Sequence, residues 1–230
     1  MKILLVSATM LEIAPLFNFF KIQPKDNTKI YTIDFFGSKI DILITGVGSV
    51  NTTYFFTEHM QRFVYDLVIN IGFAGAFSQN LTIGEIVNVQ SDGFGDLGIE
   101  TDDKFYTIFD IHLAKENEFP FQKQRIIKDK NSFDIFFEDI KKVSAITVNT
   151  IAENPVEIKK RIQKFQADIE TMEGAAFMFV AKMKKLNFLQ IRVISNYVKP
   201  RPQAQWNKYK AQIALYEYVK MKILEITSNT

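Results

Sequence analysis

The chain carries the stretch Ile169-Glu170-Thr171-Met172-Glu173-Gly174-Ala175-Ala176, in which two acidic residues stand just ahead of small and apolar ones. Apolar side chains continue toward Lys185 and predict a helix over residues 173–185. Acidic side chains are common where helices begin, because they complement the helix dipole. The ordinary interpretation of the stretch is therefore a helix start with two acids in its first turn.

Short apolar runs on both sides of this stretch predict strands that are buried on both faces. Continuous runs rich in Val, Ile and Leu are typical of central parallel strands, and they occur at residues 2–6, 40–45, 67–71, 85–90, 143–148 and 189–194. Helices are predicted between or after them, at residues 49–63, 155–165, 173–185 and 206–226. This alternation predicts βαβ units with crossover helices, and hence an α/β fold.

The helix over residues 155–165 has the clearest signals. Asn154 is expected to cap its N-terminus and Pro155 to occupy its first position. An apolar stripe on this helix consists of Val156, Ile158, Ile162 and Phe165. By contrast, residues 92–131 show no regular period, and we expect a long loop or a short helix there.

Composition excludes several classes of protein. The chain of 230 residues is 47% hydrophobic and 23% charged, which is typical of a globular protein and suits one domain over residues 1–230. A net charge of +2 argues against nucleic acid or an anionic membrane as partner. Without cysteine there are no disulfides or thiolate sites, and two histidines far apart argue against zinc. No apolar run approaches the about 20 residues of a membrane helix, so we expect a cytoplasmic protein.

Polar and glycine residues follow the predicted strands at the positions where ligands bind in open α/β sheets. Glu12 follows the first strand, Gly46-Val47-Gly48 the second, Gly72-Phe73-Ala74-Gly75 the third and Ser195-Asn196-Tyr197 the last. Each has an ordinary explanation on its own. Glu12 can be a first-turn glutamate, the glycines can form plain turns, and the asparagine can belong to a turn that leads to a proline.

Taken together, the order of these motifs along the whole chain resembles the purine nucleoside phosphorylase and nucleosidase superfamily, with Met172-Glu173 as the most specific mark. Within it the chain most resembles the futalosine hydrolases, through Phe94-Gly95-Asp96-Leu97-Gly98, Thr147-Val148-Asn149-Thr150 and residues 194–201 with Trp206. The resemblance implies a single-domain, three-layer αβα fold with a twisted, mixed, mainly parallel sheet. It implies a homodimer or higher homo-oligomer, without metal or cofactor, that releases hypoxanthine from futalosine in menaquinone biosynthesis.

The resemblance also implies roles for three residues. Glu173 would accept hydrogen bonds from the ribose hydroxyls while Met172 lies against the sugar, and Glu12 would be the base that activates water. A phosphorylase is disfavoured because residues 7–12 include no Arg and because Phe73 stands where a hydroxyl donor would bind phosphate.

The residue type at position 196 indicates which kind of purine base is released. The adenine-releasing nucleosidases carry Asp at this position, whereas the amide of Asn donates hydrogen bonds and suits the two acceptors of a 6-oxopurine, N7 and O6. Asn cannot give up a proton as an acid does, so the sequence leaves open how the departing base is protonated.

The remaining expected substrate-binding residues fall into two groups. The base and ribose pocket is expected to be lined by Val47, Gly48, Phe73, Ala74, Thr150 and Ile151. The 5′ arm of futalosine bears a carboxylate on an aromatic ring, for which Arg201 and Trp206 are the candidates. Their alternatives are a surface arginine between prolines and a tryptophan that packs the last helix.

Other functions stay open at this point. The chain can instead be a methylthioadenosine/adenosylhomocysteine nucleosidase that releases adenine, although Asn196 argues against it. A phosphorylase is a weaker alternative. A non-catalytic nucleoside-binding protein is the alternative from another class, but a binder has no use for the water base Glu12.

Overall fold

The computed structural model describes residues 1–200 and 207–228. The strands are β1 (Lys2–Ser7), β2 (Ile30–Phe35), β3 (Ser38–Ile44), β4 (Leu67–Ala76), β5 (Ile86–Asp92), β6 (Gly98–Glu100), β7 (Phe105–Thr107), β8 (Phe121–Gln122), β9 (Arg125–Ile127), β10 (Lys141–Thr147), β11 (Ile169–Thr171) and β12 (Phe188–Tyr197). The α-helices are α1 (Met10–Phe19), α2 (Ser49–Arg62), α3 (Pro155–Phe165), α4 (Gly174–Met183) and α5 (Lys208–Ser228), and a 3₁₀ helix spans Ser132–Phe137.

The central sheet is mixed. One path through it runs β2-β3-β1-β4-β11-β10-β5-β9-β8, and β12 pairs with both β4 and β5. Pairing is parallel between β1 and its two neighbours, between β12 and β4, and between β10 and β5. It is antiparallel at β2, at the β8–β9 edge and where β11 meets β4. Strands β6 and β7 form a separate hairpin.

Each face of the sheet packs against its own helices, as alternation along β1 illustrates. Ile3 and Leu5 point to one face, where the core includes residues of α1 and α5. Leu4 and Val6 point to the other, where the core includes residues of α2 and α4. The result is the three-layer αβα arrangement with a mixed sheet that the sequence led us to expect.

Several details differ from the sequence predictions. Residues 92–131 are mostly loops and turns, as expected, but they also contain the short strands β6 to β9, which were not predicted. Asn154 does cap α3, because its side chain accepts from the Val156 N–H. The stripe on α3 was only partly right, since Ile158 is buried whereas Val156 is 57% and Ile162 42% exposed. Within the described parts of the chain, no helix is long and apolar enough to cross a membrane.

The ring of Phe177 joins α4 to α2. It stacks on Phe56 with 5.0 Å between ring centroids, and both side chains are fully buried. We expect Phe177→Ala to lower the free energy of unfolding by about 3–5 kcal/mol, because it leaves a cavity between helix and sheet. The exposed Phe36 is the matched control, for which Phe36→Ala is expected to change stability by less than about 1 kcal/mol. Urea unfolding measures both, and equal losses would contradict this packing.

Candidate active site

A cavity of about 310 Å³ lies beyond the carboxyl ends of the central strands. The predicted site residues that line it are Glu12, Val47, Phe73, Ala74, Ile151, Met172, Glu173 and Asn196. These residues come from six different places along the chain, and the folded sheet brings them together. Arg201 and Trp206 lie outside the described residues, and their roles stay predictions.

Glu12 lies in the first turn of α1 with both carboxylate oxygens fixed. Its Oε2 accepts from the Ser7 hydroxyl at 3.1 Å and from the N–H and hydroxyl of Thr9 at 3.0 and 3.1 Å. Its Oε1 accepts from the Phe73 N–H at 2.9 Å. The side chain is only 8% exposed and lines the cavity. Glu12 is thus a helix-capping glutamate and a cavity residue at the same time.

Glu173 occupies the N-cap position of α4, and its Oε1 accepts from the Gly48 N–H at 2.9 Å. Burial raises the pKa of this carboxyl, and the charge of Arg192 together with the Gly48 N–H opposes that rise. Gly48 has a φ of +92°, which favours glycine. The prediction that Gly48 lines the substrate pocket needs correction, because its contact is with Glu173 and it positions that carboxylate.

A buried polar cluster supports the turn that carries Glu173. Asp92 accepts from the Gln190 amide at 3.0 Å and from the Thr147 hydroxyl at 3.1 Å. Thr147 Oγ1 in turn accepts from the Ala175 N–H at 2.7 Å. Asp92 is fully buried, and desolvation raises its pKa. This cluster could not be predicted from the sequence, because Asp92 and Gln190 lie about a hundred residues apart and meet only in the folded sheet.

Arg192 is a second residue that the sequence analysis missed. Its guanidinium is fully buried and donates to the side chain of Asn70, while Nε and Nη1 have no hydrogen-bond partner within the described part of the chain. A Cβ added to Gly72 would lie 2.4 Å from Arg192 Nη1 and 2.7 Å from Glu12 Oε1. A buried cation therefore lies next to the catalytic carboxylate candidates. The signal in the sequence was a charged residue in the middle of an apolar strand.

The amide of Asn196 is oriented by its neighbours. Its Oδ1 accepts from the Ser195 hydroxyl at 2.8 Å, and its Nδ2 donates to the Tyr197 carbonyl at 3.2 Å. One N–H of the amide is left for the cavity. The expectation that this amide alone serves both N7 and O6 of a 6-oxopurine therefore needs correction.

Thr150 does not line the cavity, contrary to the prediction. Its N–H donates to Asp96 at 3.2 Å, and its carbonyl accepts from Arg161 at 2.8 Å, so its role is to hold the loop that places Ile151. Glu170 does line the cavity, although the sequence analysis gave it no role. Among the residues described, no three His, Asp or Glu side chains form a group that could hold a metal ion.

Comparison with known proteins identifies the family. A model of the phosphorylase superfamily matches residues 2–220. The chain belongs to this superfamily. The resemblance to the superfamily that the strand-end motifs indicated is therefore confirmed.

Individual members of the superfamily resemble the chain at low identity. Futalosine hydrolase of Thermus thermophilus is 24% identical over 192 residues, which are 82% of this chain and 83% of that protein. The 5′-methylthioadenosine/S-adenosylhomocysteine nucleosidase of Bacillus velezensis is 26% identical over 189 residues, 78% of each chain. The crystal structure of the Campylobacter jejuni nucleosidase of the same name superposes with a TM-score of 0.79 at 20% identity and covers 100% of both chains.

Gly174 is expected to be essential for the turn that carries Glu173. A Cβ at this position would lie 2.2 Å from Asp92 Oδ2 and 2.3 Å from Gln190 Nε2, so Gly174→Ala must displace the cluster or the turn. We expect a loss of about 1–3 kcal/mol in the free energy of unfolding, typical of overpacking.

The matched control is Gly93→Ala, whose added Cβ meets nothing closer than 3.6 Å. This variant should lie within about 0.5 kcal/mol of the unsubstituted protein. Denaturant titration of the three proteins measures the difference, and a Gly174→Ala variant as stable as Gly93→Ala would show that the cluster yields easily.

Proposed function

We propose that this protein is an N-ribosyl hydrolase that cleaves the glycosidic bond of futalosine with water, releasing hypoxanthine and dehypoxanthinyl futalosine in menaquinone biosynthesis. The observation that carries the proposal is the meeting of two buried carboxylates, Glu12 and Glu173, around one cavity. Each is held by backbone N–H groups in a defined orientation. Such a pair suits the cleavage of a bond to a sugar that becomes cationic in the transition state.

The two carboxylates have different tasks in the proposed reaction. Glu173 accepts from the ribose hydroxyls, and these hydrogen bonds strengthen as positive charge develops on the sugar. Glu12 takes a proton from water while the water oxygen bonds to C1′. The bond from C1′ to the purine nitrogen breaks with its electron pair on the purine, which then takes up a proton from solvent. The Met172 side chain lies against the sugar. Arg192, buried nearby, offsets part of the repulsion between the two carboxylates.

Water is favoured over phosphate as the nucleophile by the chemistry of the cavity wall. Binding of a phosphate dianion calls for several donors and positive charge. Beside the sugar position the wall instead presents the Glu12 carboxylate, and Phe73 contributes an apolar ring where a hydroxyl would help. The phosphorylase alternative is therefore disfavoured on electrostatic grounds.

One feature of the cavity wall favours futalosine over methylthioadenosine. The remaining N–H of Asn196 can donate to N7 of either base, so it does not distinguish the two substrates. Lys208 is the only cationic side chain among the described residues that line the cavity, and it suits the carboxylate on the 5′ arm of futalosine better than a thioether. An adenine-releasing nucleosidase is the second candidate, since several relatives carry that name.

One assay separates the candidates. Purified protein is incubated with futalosine, inosine and methylthioadenosine, each with and without phosphate, and the released base is identified. We expect hypoxanthine from futalosine at a rate that phosphate does not change. Adenine from methylthioadenosine with futalosine untouched would replace the proposal by the second candidate, and a strict need for phosphate would indicate a phosphorylase. Tight nucleoside binding without release would indicate a binding protein.

The two carboxylates are tested by Glu12→Gln and Glu173→Gln. Each change should lower kcat/KM by about 10²–10⁴-fold, because an amide is a weaker acceptor and a poor base. Gln at residue 12 can still accept at the N-terminus of α1, so the protein should stay folded. Glu58→Gln, on the exposed side of α2, is the control and should keep full activity. Near-full turnover by Glu12→Gln would exclude Glu12 as the water base.

A further inference from the structure

Glu170 and Asn196 lie next to each other where strands β11, β4 and β12 meet. A Cβ added to Gly75 would lie 3.4 Å from Glu170 Cγ and 3.2 Å from Asn196 Nδ2. Both side chains line the cavity, and both are almost fully buried. Because Gly75 has no side chain, nothing on this residue separates the carboxyl from the amide. Asn196 is thus not the only polar group available to a purine at this end of the cavity.

Asn196 can make only one of the two hydrogen bonds that this edge of a purine requires, so a second group must make the other. The amide has one N–H free, since the other donates to the Tyr197 carbonyl. A 6-oxopurine presents two acceptors on this edge, N7 and O6, whereas a 6-aminopurine presents one acceptor and the amino donor. The second partner must therefore be a donor for one class of base and an acceptor for the other. A carboxyl group can be either, according to whether it carries its proton.

We propose that Glu170 is a second purine-binding residue whose protonation state decides between 6-oxopurines and 6-aminopurines. With its proton, the carboxyl donates to O6 of a 6-oxopurine while Asn196 donates to N7. Without its proton, the carboxylate accepts from the 6-amino group. This inference is a refinement of the proposed function, because it assumes that the cavity binds a purine.

The surroundings of Glu170 allow both the protonated and the unprotonated carboxyl near neutral pH. Burial raises the pKa of the carboxyl, and so does the charge of Asp96 in the loop after β5. Arg161 of α3 opposes this rise with a guanidinium nitrogen 3.3 Å from Oε2, and the pKa that results is about 7. The neighbours on β4 and β12, Gly75 and Asn196, are uncharged. The proton is therefore bound below about pH 7 and lost above it.

Arg161 also gives the carboxyl a fixed position. One guanidinium nitrogen contacts Glu170, and the other donates to the Thr150 carbonyl at 2.8 Å. The same cation therefore links the acid to the loop that places Ile151 in the cavity wall. A carboxyl held in this way can make a directed hydrogen bond to a base, which a freely rotating surface glutamate cannot.

The test uses the free bases, so that it does not depend on turnover. Dissociation constants of hypoxanthine and adenine are measured by calorimetry between about pH 5.5 and about pH 8, where both bases are mostly uncharged. Preference for hypoxanthine over adenine should fall by about 10- to 100-fold across this range, because a mismatched buried hydrogen bond replaces a matched one. Effects common to both bases cancel in the ratio. A ratio that stays constant with pH would overturn the inference.

Two variants distinguish a role of Glu170 in base binding from a purely structural role of this residue. In Glu170→Gln the amide does not titrate and can turn either its N–H or its oxygen toward the base, so the ratio should become independent of pH. In Arg161→Met the opposing charge is gone, so the change in the ratio should move to higher pH. Glu58→Gln should behave like the unsubstituted protein. A ratio that still changes with pH in Glu170→Gln would assign the effect to another group and refute the proposal.

The hydrolysis assay and the binding ratio together show whether the role of Glu170 or the proposed function has failed. Hydrolysis of futalosine together with a constant ratio would leave the nucleosidase standing and remove the role of Glu170. A ratio that changes with pH in a protein that cleaves no nucleoside would support the purine site and remove the enzyme. If neither base binds at any pH, both are wrong.

Discussion

The buried polar cluster beneath α4 is the constraint on which the rest of the site depends. Asp92, Thr147 and Gln190 come from three strands, and together they fix the turn that carries Glu173. A buried carboxyl is tolerated only when its hydrogen bonds are satisfied, so these strands must meet in one register. The same close approach leaves no room for a Cβ at Gly174. The core of the sheet thus sets the position of the turn that carries Glu173, and the Gly48 N–H orients its carboxylate.

Basic side chains around the cavity offset only part of the negative charge of its buried acids. Glu173 is stabilised as an anion by Arg192 and by the Gly48 N–H, against the effect of burial. Arg161 lowers the pKa of Glu170 and Asp96 raises it. Each of these two acids therefore has its own arginine as a partner of opposite charge. Under the proposed function, this arrangement keeps an anionic sugar-binding end and a titratable base-binding end within one small cavity.

The sequence predicted the features that depend on neighbouring residues in the chain, namely the strands and the residues that follow them. Apolar runs predicted the central strands, and the rule for strand ends placed Glu12, Phe73 and Asn196 in one region before any coordinates were considered. Met172 follows the short strand β11, which no apolar run indicated, and its expected place came from the resemblance to the superfamily. Residues whose role comes from tertiary contacts were missed, such as Arg192, which looked like an interruption of a strand. Thr150 shows the opposite error, because the resemblance to the superfamily implied a wall residue, whereas its backbone groups bind Asp96 and Arg161. The short strands within residues 92–131 carry too few apolar residues to show a period.

Under the proposed function, the hydrogen bonds of Glu12 couple the water base to the dynamics of α1. Helix ends open and close more readily than helix centres, and the first turn is normally the part that frays. Here the carboxylate that faces the cavity also closes that turn through Ser7 and Thr9 and bridges it to Phe73 on β4. Opening of the first turn of α1 therefore breaks the hydrogen bonds that hold the carboxylate in place. Under the proposed function, the conformation that protects the Thr9 and Phe73 amide hydrogens from exchange with solvent is the one that is competent for chemistry.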